Sequence, residues 1–193
     1  LDKALPELTK IAASGKKVLF VGTKKQAKDI VREAAEKIGQ PYVTERWIGG
    51  MLTNSQTITQ QIKKLKNLER RMGSGDLEKR YSKLEVQRFQ EEIDVLNSRY
   101  GGIKDLMGKP GAVVVVDAAV DANAVREANV LGVPVFGVVD TNVHPTDVPY
   151  VVPGNDDAIK GLQLLLDHFA QAVAEGAGSV KKADEKPVKK EEK

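Results

Sequence analysis

Short, fully apolar runs alternate along this chain with amphipathic stretches. "KVLFVGT" (17–23), "AVVVVD" (112–117) and "VPVFGVVD" (133–140) are apolar on both faces. That is the pattern of strands in a parallel sheet covered from both sides. "PYVTERW" (41–47) and "PYVVPG" (149–154) read as two further, weaker strands. Leu1, Ala4, Leu5, Leu8, Ile11 and Ala12 share one helical face ahead of the first strand. After it, Ala27, Ile30, Val31, Ala34, Ala35 and Ile38 share another, with Thr23 and Gln26 spaced as a capping box and Gly39 as the stop. Asp121 can cap a helix that ends at Gly132, and Asn155 a last one running through Ile159, Leu162, Leu166, Phe169 and Val173 to Gly176. Strands alternating with helices predict an α/β fold with a parallel sheet and helices on both faces.

About sixty residues interrupt this alternation between the second and third strands, too many for a structureless loop in a compact domain. Ile58, Ile62, Leu65, Leu68 and Met72 form one apolar stripe, and Val86, Phe89, Ile93, Leu96 and Tyr100 form another at coiled-coil spacing. "GSGD" (73–76) can turn the chain between them, and Ser82 with Glu85 makes a capping box at the second start. Each stripe is too narrow to be a core helix and needs the other. The expectation is an antiparallel two-helix coiled-coil hairpin over 55–100, inserted into an α/β domain built from 1–54 and 101–178. Residues 179–193, ending in "KKADEKPVKKEEK", are expected to form a disordered charged tail.

Composition narrows the function. The 193 residues include no cysteine, which excludes a disulfide framework and thiolate metal sites. No apolar run reaches the roughly 20 residues of a membrane helix. The chain opens at Leu1 inside a helical pattern, which suggests a fragment without its natural N-terminus. The net charge of +3 conceals an asymmetry: residues 1–100 hold 20 Lys/Arg and 13 Asp/Glu, whereas 101–193 hold 10 and 14. The first half is basic enough to face a polyanion.

Catalytic chemistry finds little support. Asp117, Asp140-Thr141-Asn142 and Gly22-Thr23-Lys24-Lys25 stand at strand ends, where α/β folds place ligands, and could hold Mg²⁺ and a phosphate. Yet "VGTKKQ" is neither a dinucleotide fingerprint nor a P-loop. Strand-end aspartates also commonly cap turns. His144 and His168 are far apart, and Asp156 with Asp157 fits the first turn of a helix as well as a metal. Neither a catalytic residue nor a metal site is assigned, and no cofactor or small-molecule substrate is expected.

Nucleic acid fits better. Lys24 and Lys25 open a helix that also offers Lys28 and Arg32, Arg46 follows a strand, and Lys63, Lys64, Lys66, Arg70 and Arg71 are expected to crowd the base of the hairpin beside a single acid, Glu69. Such cations neutralise phosphates with weak sequence preference. Aromatics are only 5% of the chain, so base stacking is not the main mode. The lone Trp47 reads as a packing residue at a strand end. Gly49 and Gly50 would let the chain turn, and Asn54 would cap the helix that follows, the four forming a structural hinge.

Taken together, "LFVGTKKQA", "PYVTERWIGGMLTN", "GGIKD", "VVDTN" and "YVVPGNDDAIK" resemble the bacterial form of the S-two (uS2) family of small-subunit ribosomal proteins. A further signature runs from Pro110 through Asp117, Asp121, Val125, Glu127 and Gly132 to Pro134. The resemblance spans residues 1–176 and implies a flavodoxin-like sheet with the hairpin inserted after Trp47. It also implies a structural, non-catalytic role on the cytoplasmic ribosome, with contacts to 16S-type rRNA and to other small-subunit proteins, including the large mRNA-binding one. The family's N-terminal segment, with its own rRNA-facing residues and a first strand, has no counterpart here, and no role transfers to the tail.

Overall fold

All five apolar runs become strands of one parallel sheet. The structure, a computed structural model, describes residues 1–139, 148–154 and 158–184. Strands β1 (Val18–Val21), β2 (Tyr42–Val43), β3 (Ala112–Val115), β4 (Val135–Val139) and β5 (Tyr150–Pro153) lie in the order β2-β1-β3-β4-β5. Every neighbouring pair is parallel, with Phe20 opposite Val114 and Val114 opposite Phe136 across the centre. This is the strand order of flavodoxin-like doubly wound folds. β1, β3 and β4 are buried throughout, as their two-faced apolar runs require.

Helices cover both faces. Helix α1 (Ala4–Ala13), α2 (Lys28–Lys37) and α7 (Ile159–Asp184) share one apolar cluster with Val18, Phe20, Val114 and Phe136. On the other face, α3 (Ser55–Gly73), α5 (Lys83–Tyr100) and α6 (Ala122–Val130) share a cluster with Leu19, Val21, Val113 and Val115. Alternation along each strand therefore sorts odd and even residues into two separate cores.

The interruption between β2 and β3 holds α3, α5 and, between them, a short helix α4 (Asp76–Arg80) that the apolar stripes do not announce. α3 buries Ile58, Leu65 and Leu68; α5 buries Ile93, Leu96 and Tyr100. The two helices pack on each other and on α4, whose Leu77 is fully buried. These stripes continue directly into the sheet's front core rather than serving only each other. The Ser82–Glu85 capping box is present at the start of α5, and Gly39 and Gly132 end α2 and α6 at φ 63° and 62°.

Several boundaries differ from the sequence expectation for identifiable reasons. Thr23 does not cap α2, which begins only at Lys28; its amide and hydroxyl are bound to Asp121 instead. For the same reason the Asp121 side chain makes no cap bond to α6. β2 is two residues long, not seven. α7 continues through Gly176 to Asp184. Gly176 is there for proximity: a Cβ on it would stand 2.4 Å from the Thr9 carbonyl oxygen and 2.7 Å from the Ala12 Cβ, so it lets α7 press against α1. The tail expected from residue 179 thus begins inside a helix, and 185–193 lie outside the described residues, as do Asp140, Thr141, Asn142, His144, Asn155, Asp156 and Asp157.

After α5, a 3-10 turn (Gly101–Ile103) lies along β2. A Cβ on Gly102 would meet the Tyr42 carbonyl oxygen at 2.2 Å, so only glycine permits that approach.

Candidate nucleic-acid interface

The carboxyl ends of β1 and β3 adjoin where the strand order reverses, the usual ligand crevice of this architecture. Here that point is occupied by the chain's own side chains. Asp121 is buried and accepts the Thr23 amide at 3.1 Å and its hydroxyl at 2.8 Å. Burial, with the nearby charge of Asp117 adding to it, pushes the Asp121 carboxyl upward, partly offset by the bonds from Thr23. Asp117 accepts the amides of Ala119 and Val120 and stands 3.4 Å from the Lys24 ammonium. The strand-end acids thus tie turns together, and Gly22 is needed because a Cβ there would meet Val31 at 2.7 Å.

The cations named from the sequence separate into two groups. Lys24 faces Asp117; Lys28 and Arg32 both reach Glu45, at 2.7 and 3.5 Å; Lys66 meets Asp105 at 3.1 Å; Lys64 pairs with Glu92; Arg71 pairs with Asp76 at 3.1 Å. The Arg71 guanidinium also sits 5.9 Å from the centre of the Tyr81 ring, which in turn meets Phe89 edge-on. Among the described residues, exposed Lys25, Arg46 and Lys63 form no ion pair, and the exposed Arg70 guanidinium bonds only Asn67. At 100° per residue, Lys63, Lys66 and Arg70 fall in one stripe on the side of α3 turned away from buried Ile58, Leu65 and Leu68. Lys64 and Arg71 lie on the flank that faces acids of α5 and α4, and the whole cluster runs from the middle of α3 to its far end instead of standing at the expected base. Counting Glu69 as the only local acid overlooked these partners, because Glu92, Asp105 and Asp76 reach α3 through tertiary packing. Glu69 itself is engaged by Lys104 at 2.6 Å.

The segment between β2 and α3 is held by a residue that the sequence did not single out for this task. Trp47 is buried in the front core, with Met51 and Leu52. Its indole N–H donates to Glu127 of α6 at 3.0 Å. The same carboxylate accepts the amides of Gly50 (2.7 Å), Leu52 (2.9 Å) and Thr53 (3.2 Å) and the Thr53 hydroxyl (3.2 Å). Partial burial alone would raise the Glu127 carboxyl, but these bonds outweigh it and hold the group below its ordinary value. Gly50, at φ 85°, makes the turn; Gly49 is not at a positive φ and has open space around it. Asn54 caps α3 by accepting the Thr57 amide at 3.5 Å. The signal for Glu127 was available: it is an acid one residue from Ala128 and three from Ala124, both buried, on a helix that otherwise keeps its polar groups outward.

The family model for ribosomal protein S2 matches residues 1–176. The small ribosomal subunit protein uS2 of Fusobacterium nucleatum is 44% identical over 176 residues, covering 91% of this chain and 71% of the relative. The protein of the same name from Actinobacillus pleuropneumoniae serotype 5b is 48% identical over 178 residues, covering 92% and 74%.

Proposed function

Because the chain belongs to the ribosomal protein S2 family, a structural and non-enzymatic component of the small ribosomal subunit, we propose that it binds 16S-type rRNA through its basic surfaces and helps dock neighbouring subunit proteins. The observation that carries this reading is the outward stripe of Lys63, Lys66 and Arg70, opposite the buried side of α3. Lys25, Arg46, Lys63 and Arg70 are the leading phosphate contacts, since no acid of the described residues neutralises them. Lys24, Lys28, Arg32, Lys64, Lys66 and Arg71 contribute by exchanging an internal acid for a phosphate. Binding of this kind is read through shape and backbone charge rather than base stacking.

α3, α4 and α5 form the inserted antiparallel coiled-coil hairpin of 55–100. The Lys64–Glu92 pair between α3 and α5 supports it. The remaining residues, 1–54 and 101–178, form the platform, with Trp47, Gly49, Gly50 and Asn54 as its mount. Family membership supports a cytoplasmic ribosomal location and contacts with other small-subunit proteins, the large mRNA-binding one among them.

The test is binding to small-subunit rRNA fragments across a salt series. Replacing Lys63 and Arg70 by glutamate is expected to weaken affinity and to shrink the slope of log K against log salt by about 1 to 2. An unchanged slope refutes the assignment.

A further inference from the structure

The stretch from Trp47 to Thr53 carries a concentrated set of donors with no strand or helix to satisfy them. Backbone amides buried without partners are costly, so something must accept them. Four N–H groups and one hydroxyl all turn to Glu127, a residue 74 to 80 positions away in sequence. Met51 and Leu52 meanwhile bury their side chains in the sheet's front core. The chain is thus pinned by apolar contacts on one side and by one carboxylate on the other, immediately before the Asn54 cap of α3.

Resting on the RNA-binding reading, we infer that Glu127 is a positioning residue for the RNA-facing surface: by gathering these donors onto α6 it sets the direction in which α3 leaves the sheet, and so where Lys63 and Arg70 stand. Leverage makes this consequential. At about 1.5 Å per residue, Arg70 lies roughly 24 Å along α3 from Asn54, so a tilt of about 10° at the root moves it by about 4 Å. Such a displacement takes a cation out of contact with a phosphate. Glu127 itself need not touch RNA. The Lys66–Asp105 and Lys104–Glu69 pairs act farther along the helix, while Ile58 seats its start in the front core.

The experiment measures rRNA-fragment affinity across a salt series for the full chain, its Glu127→Ala, Glu127→Gln and Trp47→Phe variants, and a Lys63→Glu/Arg70→Glu control. Amide exchange reports on structure in parallel. Glu127→Ala is expected to weaken affinity about tenfold or more and to reduce the salt slope by about 1. Exchange should accelerate at Gly50, Leu52 and Thr53 while β1 and β3 stay protected. Glu127→Gln, which keeps one acceptor oxygen, should fall between it and the parent. Trp47→Phe, which removes a single donor and keeps a smaller aromatic side chain, should show a smaller change of the same sign. A wild-type slope in Glu127→Ala beside a reduced slope in the charge-reversed control overturns the positioning role and leaves the RNA reading standing. If Glu127→Ala does not fold, wild-type slopes in both Glu127→Gln and Trp47→Phe overturn it equally. A control that binds like the parent overturns both readings.

Discussion

The two faces of the sheet are covered by different physical means. Behind it, α1 and α7 close over the strands with fully buried Leu8, Leu162, Leu166 and Phe169, and alanines let the helices come close. Ala4, Ala12, Ala34, Ala35, Ala170 and Ala172 are buried, and Gly176 brings α7 against the backbone of α1. In front, Trp47, Leu65, Leu68 and Tyr100 help fill the core, and the rim is laced with charge: Glu127 beneath the entry to α3, Lys64–Glu92, Lys66–Asp105 and Lys104–Glu69 around it. The back core is held by apolar packing, and charge lies outside it, where Lys28 and Arg32 of α2 meet Glu45. The front face joins its apolar core to the α3 cations proposed to meet RNA, so its stability and the binding by these cations should respond together.

The sharpest way to test that coupling is Leu65→Ala. It removes a fully buried side chain from α3 and should cost about 3 kcal/mol in denaturant unfolding. It should also weaken rRNA binding under conditions where the protein remains folded. Gly176→Ala probes the other side. Glycine to alanine inside a helix ordinarily gains about 1 kcal/mol. Here the new methyl collides with the Thr9 carbonyl, and overpacking of about 2 kcal/mol should win, lowering the thermal midpoint with the RNA salt slope untouched. A change in that slope would break the separation of the two faces. Ser82→Ala, which deletes one half of the α5 capping box, should cost about 1 kcal/mol, detectable in the same unfolding curves.

The smallest effects should appear in the pH dependence, and they should have opposite signs. Glu127 is held below its usual 4.5, so its contribution is present above that value and is lost as pH falls through the lower, folded one. Asp121 is pushed above its usual 3.8, so folding favours its protonated form; that preference is complete below 3.8 and is lost as pH rises through the higher, folded value. Unfolding free energies measured between pH 3 and 7 should therefore show Glu127→Gln losing ground to the parent as pH rises. Asp121→Asn should gain ground over the same range. Parallel trends would mean that the two carboxylates do not differ in the way their surroundings imply.

Much of the fold was legible because its signals are local. Buried parallel strands announce themselves as two-faced apolar runs, and caps such as Asn54, Ser82 with Glu85, Gly39 and Gly132 act within a few residues of where they stand. What escaped was decided at a distance. Thr23 and Asp121 each read as a helix cap, and each was drawn off by the other from 98 residues away. Gly176 read as a stop because a glycine at a helix end and a glycine at a helix crossing look alike until the second helix is placed. The candidate cations were visible as charges, but their internal acids, Glu45, Glu92, Asp105 and Asp76, were not visible as partners. Trp47 was read as a packing residue, and the structure buries it, yet its indole N–H is also one of five donors that converge on Glu127.

The contact of Gly102 with Tyr42 has a consequence beyond local fit. β2 is an edge strand, and Pro41 and Val43 point their carbonyls at β1, which leaves the Tyr42 carbonyl facing outward. A bare outward edge is a template on which a second molecule can extend the sheet. The 3-10 turn that brings the chain back from α5 lies across that edge, close enough that no side chain fits beneath it. The return leg of the insertion thereby shields the domain on this side against edge-to-edge self-association. A methyl group at Gly102 would push it off and leave the strand open to aggregation.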